Sequence, residues 1–115
     1  MALTVSACAW PAVAAPGNVR SCYILVSVID ATGVPVTGLV MPYFVIGSVT
    51  VPAGGALSRL LYADPAGPAA LGAYLLQIQP AGGVNWIAGN YAWSVDVTLP
   101  PPGVDTGRAT CAAKL

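Results

Sequence analysis

Two segments in the second half of the chain alternate between apolar and polar side chains. In the first, Tyr74, Leu76 and Ile78 alternate with Gln77 and Gln79. In the second, alternate residues form two sets: Tyr91, Trp93, Val95 and Val97, and Ala92, Ser94, Asp96 and Thr98. A period of two indicates an extended strand with one buried face. A glycine and one spacer residue precede the tyrosine in both segments, which predicts that the two strands begin with the same corner structure.

Other segments have the composition of strands or turns. Cys22–Ile29 is apolar at odd and even positions alike, which predicts a central strand covered on both faces. Asp30 follows it in a turn, where its carboxylate can accept hydrogen bonds from backbone amides. Residues 7–18 are predicted to form an irregular, proline-bearing arm. Further strands are predicted at residues 2–6, 57–62 and 108–115. Residues 39–51 are predicted to hold one or two strands, around 43–46 and 48–51, with Gly47 as the candidate bulge or tight bend between them.

Turn-forming residues separate these strands throughout the chain, which has 13 glycines and 11 prolines among its 115 residues. Glutamate is absent and lysine and arginine together number only four, a composition that argues against exposed helices. Seven to eight short strands with such spacing predict an all-β, antiparallel, two-sheet sandwich. We assign residues 1–21 to an N-terminal strand and irregular arm, and residues 22–115 to the β-sandwich domain.

Charge is scarce: 7% of residues are charged, the net charge is zero and 57% are hydrophobic, whereas about 25% charged residues is usual. One explanation is that other subunits cover much of the surface, as in a homo-oligomer. The other is a general bias towards small apolar residues. Four scattered cations predict no nucleic-acid partner. Residues 31–58 lack charge, but glycines and prolines interrupt them, so no membrane partner or span is predicted.

The residue types that most catalytic sites need are missing. Histidine is absent, so the usual general base is unavailable, and four dispersed aspartates offer no obvious carboxylate pair. We therefore expect no enzymatic activity, no metal and no cofactor. Cys22 and Cys111 either form a disulfide or are small buried apolar groups, and Cys8 is left over. Asp96 is expected to be solvated or to pair with a neighbouring cation such as Arg108 or Lys114.

Aromatic residues are the candidate interaction residues, because they concentrate binding energy at protein interfaces. We select Trp10, Tyr43 and Trp86 for this role. Trp10 lies in the N-terminal arm, where it is placed to anchor that arm on a neighbouring subunit. Trp86 has an alternative role in packing over the rim of the sandwich. Trp93, at an inward position, is expected to belong to the core.

Residues 28–38 carry the pattern D-x-x-G-x-P-V-x-G, which begins at Asp30 and ends at Gly38. It resembles the start of transthyretin-like, carboxypeptidase-regulatory-like and other immunoglobulin-like domains. Together with the two Gly-x-Tyr strands, it is similar to small immunoglobulin-like domains in tailed-phage virions, including baseplate, tail-fibre and head-decorating proteins. The resemblance implies an immunoglobulin-like or transthyretin-like sandwich.

The same resemblance implies a function. We expect a structural protein that assembles with itself or with other structural proteins into a larger symmetric particle, a phage capsid or tail, with a virion location. The alternative is a secreted or cell-surface module, extracellular, that binds a glycan or a protein.

Overall fold

The computed structural model describes residues 3–11, 14–67, 71–99 and 105–115. Within these ranges the regular structure consists of strands and two short 3-10 turns, Met41–Tyr43 and Ala81–Gly83. The strands are β1 (Thr4–Trp10), β2 (Cys22–Ile29), β3 (Phe44–Thr50), β4 (Ser58–Pro65), β5 (Ala73–Pro80), β6 (Asn90–Thr98) and β7 (Thr106–Lys114). The predicted all-β fold is confirmed, and the bounds of β2 are those read from the sequence.

The strands form two antiparallel sheets. A four-stranded sheet has the order β1-β2-β5-β4, and a three-stranded sheet has the order β3-β6-β7. If the strands are lettered A to G along the chain, these orders are A-B-E-D and C-F-G. This is the strand order of the seven-stranded, constant-type immunoglobulin sandwich.

The core lies between the sheets and is built from alternate residues of the central strands. Side chains that are almost completely buried are Cys22, Ile24, Val26 and Val28 of β2, Tyr74, Leu76 and Ile78 of β5, and Tyr91, Trp93, Val95 and Val97 of β6. Burial of each large apolar side chain contributes about 1.5–3 kcal/mol. Three aromatic rings meet at one end, where Trp86 packs edge-on against Tyr91 with ring centroids 5.1 Å apart and Tyr91 stacks on Trp93 at 5.8 Å.

The two Gly-x-Tyr strands do not share one corner structure, although both tyrosine hydroxyls bind backbone groups outside their own strands. The Tyr74 hydroxyl donates to the Val36 carbonyl (2.6 Å) and accepts from the Leu39 N–H (3.2 Å). The Tyr91 hydroxyl donates to the carbonyl of Ile87 (3.0 Å) and accepts from the N–H of the same residue (3.1 Å). A tyrosine at the start of the sixth strand that bonds a few residues upstream is the tyrosine corner of immunoglobulin-like sandwiches.

Three local predictions were wrong. β1 continues to Trp10 and pairs with β2 over its whole length, although residues 7–18 were expected to be an irregular arm. The reason is that Ala7 and Ala9 continue the inward row that Val5 begins. The segments around 43–46 and 48–51 form the single strand β3, which was one of the two outcomes expected, but the bulge lies after Ser48 and not at Gly47, which pairs regularly with Ser94. The fourth strand continues to Pro65, three residues beyond its predicted end.

Candidate functional site

Strand β2 is apolar on both faces, but the chain covers only its inner face. Cys22, Ile24, Val26 and Val28 are completely buried. The side chains between them point away from the core, and Leu25 remains 44% exposed. The expectation that both faces would be covered is therefore wrong for the described chain by itself. This leaves apolar side chains on the outer surface of the four-stranded sheet.

Strand register places these side chains in two adjacent rows across that sheet. The first row is Trp10, Tyr23, Gln77 and Tyr62, in the order β1, β2, β5 and β4. The second row, in the same strand order, is Cys8, Leu25, Leu75 and Asp64. Neighbouring strands lie about 4.8 Å apart, so each row spans roughly 14 Å. We call Trp10, Tyr23, Leu25, Tyr62 and Leu75 the outer apolar face.

Large side chains on this face are open to solvent. Trp10 is 59% exposed and Tyr62 is 60% exposed. The ring centroids of Trp10 and Tyr23 lie 6.3 Å apart and the ring planes are inclined at 50°, so the two side chains pack against each other on the surface. An exposed group of aromatic and leucine side chains on a small protein is typical of a binding surface.

A bulge in β4 determines which way Tyr62 points. Leu60 pairs with Ile78 on the inner face, and regular alternation would also turn Tyr62 inward. However, Tyr62 pairs with Gln77, which directly precedes Ile78, so Leu61 is an extra residue in the strand. A bulge of this kind reverses the alternation that follows it. It therefore brings Tyr62 to the outer apolar face, while Ala63 returns to the inner side.

Polar residues border the outer apolar face. Ser6 and Ser27 face each other across the first two strands on one side of it. On the other side Arg59 pairs with Gln79, whose amide donates to the Ser21 hydroxyl (3.4 Å). An apolar centre with a polar margin is the usual anatomy of a protein–protein interface.

The structure does not bring the three predicted interaction residues together. Trp10 lies on the outer apolar face, at the end of β1. Tyr43 is half-buried in the 3-10 turn before β3 and packs against the core. Trp86 is only 1% exposed, and its indole N–H donates to the Arg20 carbonyl (2.7 Å), so it packs within the rim of the sandwich, as the alternative interpretation held.

The sequence analysis did not identify the other four members of the outer apolar face. Tyr23, Leu25 and Leu75 were assigned only to strands, and Tyr62 was hidden by the bulge. The apolar outer positions of β2 were the signal that could have found the first two of these residues.

The titratable groups have ordinary structural roles. The Asp30 carboxylate accepts hydrogen bonds from the Thr32 hydroxyl (2.6 Å) and from the N–H groups of Thr32 (2.9 Å) and Val34 (3.0 Å). These bonds, that of the hydroxyl above all, hold the pKa of Asp30 below its usual value. The predicted partner of Asp96 is present, since Arg108 Nε lies 2.6 Å from its Oδ1. The hydrogen bond and charge of this carboxylate raise the pKa of Arg108.

Cys8, Cys22 and Cys111 are free thiols, so the disulfide that the sequence left open is not formed. Burial, with a smaller effect of the neighbouring Cys111, raises the pKa of Cys22 to about 12. Burial and the charge of Cys8 raise the pKa of Cys111 to about 11. Both thiols are therefore protonated near neutral pH and fill space as small apolar groups.

In the part of the chain that the structure describes, no three His, Cys, Asp or Glu side chains converge as metal ligands would. Its helical turns are also far too short to cross a bilayer. Comparisons of the chain with protein-family models, with curated proteins and with solved structures gave no match.

Proposed function

We propose that this protein is a non-enzymatic structural component that assembles with copies of itself, or with other structural proteins, into a larger symmetric particle such as a phage virion. The observation that carries the proposal is the outer apolar face. Its five side chains share one face of the sheet, with Gln77 between Tyr23 and Tyr62, and serine, arginine and further glutamine side chains lie at its margin. This arrangement supports docking of a flat partner surface on the sheet.

The size and charge of the domain suit such a contact. A standard interface removes about 800 Å² of surface from each partner, and the domain exposes 6055 Å² in total. One contact would therefore cover roughly one eighth of the surface. With a net charge of zero, two copies approach each other without overall repulsion. Burial of the exposed parts of Trp10, Leu25 and Tyr62 would then supply the main driving force.

Sedimentation velocity of the purified chain over a range of concentrations tests the proposal. We expect particles larger than the 11.5 kDa monomer. Leu25→Lys places a charge in the centre of the outer apolar face and is expected to reduce the particle size. The matched control is Val34→Lys, because Val34 is a similarly exposed side chain (55%) in the turn after β2. Circular dichroism establishes that both variants remain folded.

A wild-type chain that sediments as a monomer at every concentration, alone and with candidate structural partners, would refute the proposal. Equal loss of assembly in Leu25→Lys and Val34→Lys would also count against it, because the effect would then not belong to the outer apolar face.

The alternative function is binding of a glycan by a secreted or cell-surface module, and one observation favours it. The row that contains Trp10, Tyr23 and Tyr62 also contains the Gln77 amide. Aromatic rings that stack on sugars, next to an amide that hydrogen-bonds hydroxyl groups, could recognise a carbohydrate. A monomeric wild type that binds a glycan array, and a Trp10→Ala variant that does not, would support this alternative.

A further inference from the structure

A sandwich of two open sheets has four edge strands, and unprotected edges can pair with other chains. Two of these edges, β1 and β7, lie against each other. The Leu3 N–H donates to the Thr106 carbonyl (2.9 Å). A Cβ atom at Gly107 would lie 2.7 Å from a methyl of Val5 and 2.9 Å from the Leu3 side chain, so glycine permits this close approach. Each of these strands limits access to the other.

The edge at β4 carries the features by which proteins prevent edge pairing. It contains the charged residues Arg59 and Asp64, ends at Pro65 and is interrupted by the bulge at Leu61. Charges, proline and bulges all disfavour the addition of another strand. β4 is therefore a protected edge.

β3 differs from the other edges. From Phe44 to Ser48 it pairs with β6 in regular register and contains no charge and no proline. Among the described residues, β3 pairs only with β6, and no backbone hydrogen bond joins its other side to β4. The two edges are linked instead by the Ser58 N–H, which donates to the Ser48 hydroxyl (3.0 Å). The Phe44 N–H donates to the Met41 carbonyl. In the described part of the chain, the other outward backbone groups from Val45 to Ser48 have no backbone partner outside β6, so they can pair with another strand.

The surface beside this edge is apolar. A groove of about 500 Å³ lies between β3 and β4. It is lined by Met41, Pro42, Phe44, Val45, Ile46, Ser58, Arg59 and Leu60. Val45 is 59% exposed. A strand that joined β3 would cover the groove while it completed the backbone pairing.

We propose that β3 pairs antiparallel with β3 of a second copy, about a two-fold axis at Ile46, so that the two three-stranded sheets become one continuous sheet. In this register Phe44 lies opposite Ser48 of the second copy, and Val45 lies opposite its Gly47. All the pairs are uncharged, so no like charges meet at the axis.

Gly47 carries no side chain on the outer side of this edge. On its own strand a Cβ atom at this position would lie 2.5 Å from the Ser94 hydroxyl, so no larger residue fits without a shift. In the proposed register Val45 of the second copy lies opposite Gly47, where no side chain of β3 opposes it.

The bulge selects this register over its neighbour. A two-fold axis at Gly47 would place Val45 opposite Val49, but Val49 is the extra residue at the bulge. A bulged residue is left out of regular pairing. The axis at Ile46 uses only the five regular residues from Phe44 to Ser48.

This contact goes beyond the proposed function, with which it shares the premise that copies associate. A single self-complementary interface closes after two copies, whereas a larger particle needs a second, different interface. The outer apolar face and the β3 edge belong to different sheets, so one copy can use both at once.

Directed cross-linking tests the pairing. Facing residues of an antiparallel pair have Cα atoms about 4.5–5.5 Å apart, a range that permits a disulfide. We expect Ile46→Cys, made with Cys8→Ser to remove the exposed native thiol, to form a covalent dimer under mild oxidation. Val49→Cys in the same background is the matched control, because Val49 is exposed (62%) on the same strand but lies beyond the pairing. Non-reducing gels and mass spectrometry identify the linked residue.

Sedimentation of lysine variants provides the second measurement, made in the Leu25→Lys background so that the outer apolar face does not contribute. We expect that background protein to form dimers, and Val45→Lys to raise the dimer dissociation constant by at least roughly tenfold. Val49→Lys is expected to leave it within about threefold.

Three results would overturn the inference: a Leu25→Lys protein that is monomeric at all concentrations, equal effects of Val45→Lys and Val49→Lys, or equal cross-linking at positions 46 and 49. A wild type that still assembles while Leu25→Lys is monomeric would refute the edge contact and leave the proposed function intact. A wild type that forms only the β3 dimer and nothing larger would support the edge contact and refute assembly into a larger particle.

Discussion

Replacement of Tyr74 by phenylalanine tests how the fold holds the connection between its two sheets. The Tyr74 hydroxyl bonds the Val36 carbonyl and the Leu39 N–H, which belong to the segment that leads from β2 to β3. Its aromatic ring is 2% exposed and packs against Phe44 at 5.1 Å, so phenylalanine retains the ring contacts. The substitution therefore removes the two hydrogen bonds and little else.

The expected loss follows from these two bonds. Each contributes about 0.5–1.5 kcal/mol, and a buried group left without a partner adds to the cost. Leu39 is 4% exposed, so water has little access to its N–H once the hydroxyl is gone. We expect Tyr74→Phe to lower the free energy of unfolding by about 2–3 kcal/mol. At about 4 °C per kcal/mol for a domain of this size, Tm would fall by roughly 8–12 °C.

Chemical and thermal unfolding at one fixed protein concentration provide the measurement, since assembly would make stability depend on concentration. Tyr62→Phe is the matched control, because Tyr62 is exposed and the structure gives its hydroxyl no hydrogen bond. It should change stability by less than about 0.5 kcal/mol. The loss of stability in Tyr91→Phe should lie between those of Tyr74→Phe and Tyr62→Phe, because Ile87, whose backbone groups bond the Tyr91 hydroxyl, is only half-buried. Equal stability of Tyr74→Phe and Tyr62→Phe would refute the role given to the buried hydroxyl.

Two further predictions concern pH. The native pKa of Cys22 is about 12 and its unperturbed value is 9.0, so its contribution to stability is complete below pH 9 and is lost as the pH rises towards 12. We expect Cys22→Ala to reduce this alkaline decline in the free energy of unfolding, measured by urea unfolding under reducing conditions. An unchanged dependence of stability on pH would contradict the prediction. The pKa of Asp30 is lowered from 3.8, so its contribution is present above that pH and is lost as the pH falls through the native pKa. Asp30→Asn should therefore be less stable than the wild type at pH 7, and the difference should shrink in acid; a difference that is constant with pH would show that the carboxylate charge does not matter.

The parts of the fold that the sequence predicts well are those in which one strand has one buried face. Alternate residues of β5 and β6 are large and apolar, so Tyr74 and Trp93 were assigned to the core from their period. The sequence left Asp96, at an outward position, either solvated or paired with a cation such as Arg108 or Lys114, and in the structure its partner is Arg108. Side chains at such positions are constrained by local geometry, which a sequence pattern records directly.

The features of the fold that the sequence does not predict are those that depend on small residues and on bulges. Ala7 and Ala9 form part of β1 although alanine has a low preference for strands, because pairing with β2 outweighs that preference. Tyr62 points outward only because Leu61 is an extra residue, and the local pattern gives no sign of it. Gly47 was the candidate bulge or tight bend, but it pairs regularly with Ser94 at a position where no larger residue fits without a shift. In each case the decisive partner lies on another strand.

The identity of the exposed side chains separates the two explanations for the low charge of this chain. A bias towards small apolar residues would enrich alanine, glycine and valine over the whole surface. It would not place Trp10, Tyr23, Leu25 and Tyr62 on the same face of one sheet. An exposed Trp or Leu has no effect on the core and favours aggregation when nothing covers it. Such residues at the centre of a face, with serine, arginine and glutamine at its margin, are better explained by a partner that covers them. This reasoning favours assembly, and the Leu25→Lys comparison tests it directly.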